Sequence, residues 1–143
     1  RYLSQYPSET PWPKYDTSIF YDSYVKFFFQ KGGRQLPAYI RVFNKAGWSY
    51  GCLTDVSYVV DFKNRIEFML TATVYTNKDE ILNDDQYEFE TEGLPFLFET
   101  GRTVYRYDLH RKRKYAPDLK AFQLKYEKRD PNDRRQAIKN VDN

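Results

Sequence analysis

The sequence predicts an α+β fold in which an antiparallel three-stranded meander packs against an N-terminal-side helix and a long C-terminal helix. Two observations support this prediction. Between residues 40 and 76, three consecutive segments carry the alternating apolar residues of strands, and on either side of them apolar residues recur at helical spacing. With 143 residues, the chain is long enough for one domain with a real hydrophobic core.

The three predicted strands cover residues 40–51, 52–60 and 66–76, and they are rich in β-branched and aromatic residues. Lys63-Asn64 lies at the tip of the turn before the third strand, where such polar residues are common. Because successive side chains of a strand point to opposite faces, the third strand gathers its apolar side chains on one face. A sheet with one apolar face needs a cover.

The N-terminal-side helix is predicted over residues 17–31. Four aromatic residues would share one helical face there: Phe20, Tyr24, Phe27 and Phe28. Asp16 or Thr17 would cap the start of this helix, and Gly32-Gly33 would end it. A strand over residues 24–29 is the alternative, because aromatic residues also suit strands.

The long C-terminal helix is predicted from the clearest helical stripe in the chain. The members of this stripe are Leu94, Leu97, Phe98, Gly101, Val104, Tyr105 and Leu109. Pro95 suits the first turn of a helix, and the basic residues from Arg111 to Lys114 suit the negative end of the helix dipole. We expect this helix to cover the apolar face of the sheet.

Two segments flank the central unit of residues 17–115. Residues 1–16 contain three prolines between aromatic residues, which predicts an extended arm rather than a helix. Residues 116–143 are predicted to form a basic C-terminal extension, since residues 110–143 hold 11 Lys and Arg against 5 Asp and Glu. The whole chain has a net charge of +3, so only its tail is basic.

The cysteine and histidine content excludes several kinds of site. Cys52 is the only cysteine, which excludes an intrachain disulfide and a cysteine-rich zinc site. His110 is the only histidine, which excludes the two-histidine metal motifs. The acidic residues between positions 80 and 88 lack the spaced glycine of an EF-hand, so we interpret them as a solvated loop. We therefore expect no cofactor and no bound metal.

Hydropathy and charge bear on two further kinds of partner. No apolar run approaches the ~20 residues that span a bilayer, so no membrane span is predicted. The basic run from His110 to Lys114 could neutralise phosphates, which makes an RNA-binding domain one of the alternatives. Cations are favoured at a helix C-terminus in any case, so we expect no nucleic-acid partner.

The segment Lys45-Ala46-Gly47 is the candidate for chemistry. Lys45 places a cation on the first predicted strand, and Gly47 removes a side chain that would keep another molecule off the backbone, so a substrate could lie along this edge. The pattern Lys-x-Gly is weak by itself, because 12 Lys and 6 Gly give about 0.5 matches by accident. Its weight comes from its place on a strand, between a helix and a hairpin followed by a second helix.

Residues 36–47, which read Leu-Pro-Ala-Tyr-Ile-Arg-Val-Phe-Asn-Lys-Ala-Gly, resemble the strand with the Lys-Thr-Gly motif in the serine β-lactamase and penicillin-binding fold. More closely, the run through residues 51–64 resembles serine hydrolases of the class A β-lactamase-like group found in Bacteroidetes. The resemblance covers roughly residues 17–115. It implies the C-terminal portion of a β-lactamase-like α/β domain, in a periplasmic or secreted protein.

The resemblance also implies a mechanism, which is acyl transfer through a seryl intermediate. Lys45 would help to hold the substrate carboxylate and would support proton transfer at the nucleophile. The Trp48 N–H would be the second oxyanion donor, and Gly47 would let the acyl group approach. Ala46 stands at a substrate-binding position where the family has Thr or Ser, so a hydroxyl that would bond the substrate carboxylate is missing.

The family's nucleophile belongs to a Ser-x-x-Lys motif far upstream, so we expect it outside this chain. Ser23 and Lys26 match that motif as text, but 6 serines give about 0.5 such matches by accident. We interpret both side chains as the solvated side of the first helix. Because the chain begins with Arg1, we expect a fragment of a longer hydrolase that is inactive alone. Its partners would be the remaining half of the domain and a small-molecule or peptide substrate.

A second interpretation is a small non-catalytic α+β module that binds an apolar ligand. Aromatic rings would line its pocket, namely Tyr50, Tyr58 and Phe68. Replacement of Lys45 by Ala separates the two interpretations, because it should cut acylation in a hydrolase and leave a pocket module almost unchanged.

Overall fold

The computed structural model describes residues 1–140, which contain one antiparallel sheet and one long helix. Strands β1 (Ile40–Ser49), β2 (Cys52–Asp61) and β3 (Ile66–Tyr75) pair in the order β1-β2-β3. Helix α1 (Leu94–His110) follows a single π-helical turn over Phe89–Gly93. The prediction of an α+β fold with a three-stranded meander and a long C-terminal helix is confirmed.

The first hairpin is closed by a two-residue turn at Tyr50 and Gly51, whose φ angles are 48° and 82°. Positive φ at both positions is the geometry that matches the twist of the flanking strands. Gly51 is also required by packing, because a Cβ there would lie 2.7 Å from the Cβ of Asn77. The end of β3 is tied to the same turn by a hydrogen bond from Thr76 N–H to the Gly51 carbonyl, at 2.7 Å.

The second hairpin is organised by the buried Asp61 carboxylate. It accepts hydrogen bonds from the backbone N–H of Asn64 at 2.8 Å and from the Asn64 side chain at 2.7 Å, as Asp does in turns. The Tyr105 hydroxyl of α1 donates to the same carboxylate at 2.6 Å. One carboxylate therefore shapes the turn that Lys63-Asn64 was predicted to form and joins it to the helix.

The predicted helix over residues 17–31 is wrong. This segment folds as consecutive turns that end in a short 3-10 helix over Gln30–Gly32. Its backbone groups find tertiary partners instead of the groups of the next helical turn: the Phe27 N–H donates to Asp55 at 3.0 Å, and the Val25 carbonyl accepts from Asn44 at 2.7 Å. Aromatic and β-branched residues have modest helix propensity, so these contacts prevail.

The core lies between the turns of residues 17–32, one face of the sheet and helix α1. Its largest cluster of buried side chains consists of Phe27, Phe28, Leu53, Leu94 and Leu97. A second cluster, toward the other end of β1, consists of Ile40, Val42 and Val59. A Cβ on Gly101 would lie 2.5 Å from the Cβ of Phe28, so this glycine sets how closely α1 approaches the turns.

The C-terminal extension covers part of the opposite sheet face. Phe122 stacks on Tyr58 with ring centroids 5.1 Å apart and meets Phe43 edge to face at 5.5 Å. The extension then returns to the N-terminal arm, where Ile138 forms a parallel bridge with Tyr15. The remaining short 3-10 helices are Tyr2–Ser4, Pro7–Glu9 and Lys120–Phe122. Residues 141–143 of the predicted extension lie outside the described residues.

Within the described residues, helices are all too short or too polar to cross a membrane.

Candidate functional site

The predicted site residues Lys45, Ala46, Gly47 and Trp48 lie in the second half of β1, which is an edge strand. The two-residue turn makes Ser49–Cys52 the closing hydrogen-bonded pair of the hairpin. Hydrogen-bonded pairs alternate along an antiparallel ladder, so Gly47 and Lys45 bond to β2, whereas the N–H and C=O groups of Ala46 and Trp48 point to the outer edge.

Two contacts agree with this alternation. The Ile40 carbonyl, which is in phase with Ala46, accepts a hydrogen bond from the Tyr6 hydroxyl at 3.1 Å on the outer side of β1. The exposed Lys45 ammonium curls around the edge to donate to the Ala46 carbonyl at 2.6 Å. The structure therefore brings the lysine and the outward backbone groups of Ala46 and Trp48 together.

Gly47 and Trp48 differ in how they are held. A Cβ on Gly47 would meet no atom within 4 Å, so no packing contact requires the glycine there. The Trp48 ring stacks on the buried Phe27 ring, with centroids 5.7 Å apart and planes 14° apart, while about half of its surface is exposed. This stacking fixes the orientation of the residue whose N–H is the candidate oxyanion donor.

Two cavities adjoin the edge segment. One of about 240 Å³ lies beside Lys45 and Ala46, and its other lining residues are Tyr2, Leu3, Gln5, Val25, Lys26 and Asn44. The second, of about 370 Å³, lies beyond Trp48 and is otherwise lined by Ser49, Tyr50, Asn83, Asp85, Tyr87 and Phe89. The N-terminal arm thus closes one end of the edge, and the loop before α1 borders the other.

A buried polar network next to this edge was not predicted from the sequence. Lys26 is 3 % exposed, Asn44 is 7 % exposed and Asp55 is fully buried. The Lys26 ammonium donates to the Asn44 side-chain oxygen at 2.6 Å, and the Asn44 amide donates to Asp55 at 2.8 Å. The charged groups of Lys26 and Asp55 are thus joined through one neutral side chain.

Burial shifts the protonation of both charged groups. It lowers the pKa of Lys26 from 10.5 to about 8, against the attraction of Asp55. It raises the pKa of the Asp55 carboxyl above its ordinary value, and hydrogen bonds from Asn44 and from the Phe27 N–H oppose that rise. The nearby Ser57 hydroxyl opposes it too, although it makes no hydrogen bond of regular geometry.

The prediction that Ser23 and Lys26 lie on a solvated helix face is wrong, because both are buried and the helix is absent. The Ser23 hydroxyl donates to the Gly33 carbonyl at 2.5 Å, and the Lys26 ammonium donates to Leu3 and Asn44. The two side chains therefore bond to different partners, and the hydrogen bond expected of a nucleophile and its base is not formed between them.

The three aromatic residues of the pocket interpretation do not share a pocket. Tyr58 lies under Phe122, whereas Phe68 packs on the opposite sheet face against the cluster around Val59. Tyr50 lies in the first hairpin turn. The rings that do adjoin Tyr50 around the larger cavity are Trp48, Tyr87 and Phe89.

The basic run after α1 is partly occupied by internal contacts. Arg111 pairs with Asp108, and Arg113 donates to the backbone carbonyls of Asn64 and Arg65 in the second hairpin. Within residues 1–140, no group of three or more His, Cys, Asp or Glu side chains is arranged to hold a metal ion.

Comparisons of the chain with protein-family models, with curated proteins and with solved structures find no match.

Proposed function

We propose that this chain supplies the substrate-binding strand of a serine hydrolase that acts through an acyl-enzyme. The observation that carries the proposal is the outer edge of β1, where an exposed Lys45 adjoins the outward backbone groups of Ala46 and Trp48. In this mechanism the lysine holds the substrate carboxylate, and the Trp48 N–H stabilises the negative oxygen of the tetrahedral intermediate. The serine nucleophile comes from outside this chain.

The unpaired edge of β3, on the other side of the sheet, is a second argument for a partner that completes the domain. In β3, the same alternation directs the N–H and C=O groups of Met69, Thr71 and Thr73 away from β2, and no strand among the described residues pairs with them. A ten-residue strand with an unpaired edge is a template on which another strand can pair. The remaining half of a hydrolase domain would supply it.

The test starts with the protein purified from its source. Its intact mass is compared with that of this chain, and every species is treated with a fluorophosphonate and with a penicillin. The proposal expects a longer species that is labelled on a serine outside residues 1–143. If the chain is the whole protein and no serine is labelled, the proposal fails.

Lys45→Ala in the labelled species tests the assigned role. Loss of one preorganised electrostatic contact typically costs about 100-fold or more in rate, so the labelling rate should fall by about that factor. Lys125→Ala, which removes an exposed lysine of the extension, is the matched control and should leave the rate unchanged. Equal labelling rates for both variants would remove Lys45 from the mechanism.

A non-catalytic module is the second candidate, and the aromatic rings around the larger cavity favour it. Four rings line that space: Trp48, Tyr50, Tyr87 and Phe89. An apolar ligand bound there should shift the fluorescence of Trp48, and this shift should persist in Lys45→Ala.

A further inference from the structure

Lys26, Asn44 and Asp55, which we call the brace, connect four separate parts of the chain. Lys26 belongs to the turns of residues 17–32, Asn44 to β1 and Asp55 to β2. The Lys26 ammonium also donates to the Leu3 carbonyl of the arm, at 2.9 Å. Each of the three side chains is more than nine-tenths buried.

Burial of the charged groups of the brace costs free energy. A buried ammonium and a buried carboxylate each lose the solvation of water, and their mutual attraction offsets that loss only when further hydrogen bonds satisfy them. Apolar side chains of similar volume would often give an equally stable core. The brace therefore calls for a role in specifying geometry, beyond a contribution to stability.

The brace adjoins both ends of the segment from Lys45 to Trp48. Asn44 immediately precedes Lys45, and Asp55 is the β2 residue directly opposite Ala46. Asp55 also accepts the Phe27 N–H at 3.0 Å, and the Phe27 ring is the one on which Trp48 stacks. Two of its members, Lys26 and Asn44, line the cavity beside Lys45 and Ala46.

We propose that Lys26, Asn44 and Asp55 are positioning residues that hold the segment from Lys45 to Trp48 in place as a rigid binding edge. The chemical class of the ligand, a carboxylate with an adjacent amide, rests on the proposed function. The positioning itself does not, because it concerns the geometry of β1 in the unliganded chain.

The test compares the chain with a double variant, Lys26→Met with Asp55→Asn, which removes both charges together and leaves neither buried without its partner. Lys125→Met is the matched control for loss of a lysine. Amide hydrogen exchange is measured by NMR at Lys45 and Gly47, whose N–H groups bond to β2, and at Val59, whose N–H bonds to β3.

We expect exchange at Lys45 and Gly47 to accelerate by about tenfold or more in the double variant, while exchange at Val59 changes by less than about twofold. Equal acceleration at all three positions would show a general loss of stability and would overturn the proposal. Unchanged exchange at all three would overturn it as well. If the double variant does not fold, Asn44→Ser, which keeps both charges and shortens the bridge, is compared in the same way.

Ligand binding is measured on the same samples with N-acetylglycine, which carries a carboxylate and an amide. Shifts of the Ala46 and Trp48 amide signals report binding, and we expect the double variant to bind about fivefold or more weakly than the unaltered chain. A folded double variant that binds N-acetylglycine as tightly as the unaltered chain would overturn the proposal that the brace holds a binding edge in place. If the unaltered chain does not bind N-acetylglycine, the proposed function loses its ligand, and the exchange comparison alone decides the brace.

Discussion

Lys26 and Asp55 carry opposite charges on two sides of the Asn44 amide, and both are shielded from water. Neither sequence position suggests this arrangement. Lys26 lies among aromatic residues in a segment whose spacing suggests a helix, and Asp55 interrupts an apolar strand. Other charged groups near Lys26 are Arg41, which lowers its pKa, and Glu9, which raises it. At the scale of the residue, burial has a larger effect on the pKa of Lys26 than any of these neighbouring charges.

The lowered pKa of Lys26 predicts that the free energy of unfolding rises with pH. The folded-state pKa of about 8 lies below the ordinary value of 10.5, so between these values the unfolded state binds more protons than the folded state. Stability should therefore increase by about 2 kcal/mol between about pH 8 and pH 9.5. Urea denaturation of the chain and of Lys26→Met at both pH values measures the increase, which the variant should lack.

The pH range of that measurement ends below pH 10 because two tyrosine hydroxyls affect stability above it. Burial raises the pKa of the Tyr6 and Tyr105 hydroxyls, and groups with a raised folded-state pKa lose stability as pH rises beyond the ordinary value. Lys125→Met, which removes an exposed lysine, should keep the full increase. The same slope in Lys26→Met and in the unaltered chain would contradict the assignment to Lys26.

At the scale of the element, helix α1 and the segment of residues 17–32 show opposite outcomes. The apolar stripe of α1 predicts its fold because one face of the helix packs along its length, and Leu94, Leu97 and Gly101 are buried. The aromatic spacing of residues 17–32 suggests a second helix of the same kind. That segment instead forms turns, because its backbone donors and acceptors bond to side chains of β1 and β2.

Gly101→Ala tests the packing between these two elements. Ala is the better helix former by about 1 kcal/mol, yet its Cβ would lie 2.5 Å from the Phe28 Cβ. The same Cβ would also lie 2.6 Å from the Phe28 carbonyl oxygen, so the overpacking cost should exceed the helix gain and leave a net loss of about 1 to 2 kcal/mol in urea denaturation. Thr103→Ala, on the exposed face of the same helix, should be neutral or slightly stabilising. A stabilised Gly101→Ala would mean that α1 can move away from Phe28 at little cost.

At the scale of the whole molecule, the two terminal segments hold each other against the sheet. The Arg129 guanidinium donates to the carbonyls of Thr10 at 2.9 Å, Tyr15 at 3.1 Å and Pro7 at 2.5 Å. Ile138 and Asp16 add backbone hydrogen bonds between the same segments. The extension is thus anchored to the arm, and Phe122 lies between that anchor and the end of α1.

Arg129→Lys should loosen this anchor. A lysine ammonium cannot reproduce the planar fork that reaches three carbonyls, so we expect a loss of about 1 to 2 kcal/mol in the free energy of unfolding. Arg134→Lys, at an exposed position of the extension, is the control and should change stability by less than about 0.5 kcal/mol. Equal stability of the two variants would show that the arm and the extension do not depend on Arg129.

The local features of this protein could be predicted from its sequence. The three strands, the turn at Lys63-Asn64 and helix α1 follow from periodicity and turn chemistry, because each depends on residues that are neighbours in the chain. The placement of Lys45, Ala46 and Gly47 on a strand follows for the same reason.

The groups that meet across the sheet could be identified only from the three-dimensional fold. A strand pattern does not say which edge stays open, so the outward direction of the Trp48 N–H required the register of the first hairpin. The turns of residues 17–32 and the burial of Lys26 depend on Asn44 and Asp55, which are 18 and 29 positions away from Lys26 along the chain. Contacts between residues at such separation depend on packing and desolvation. The spacing of apolar residues along the chain reveals neither.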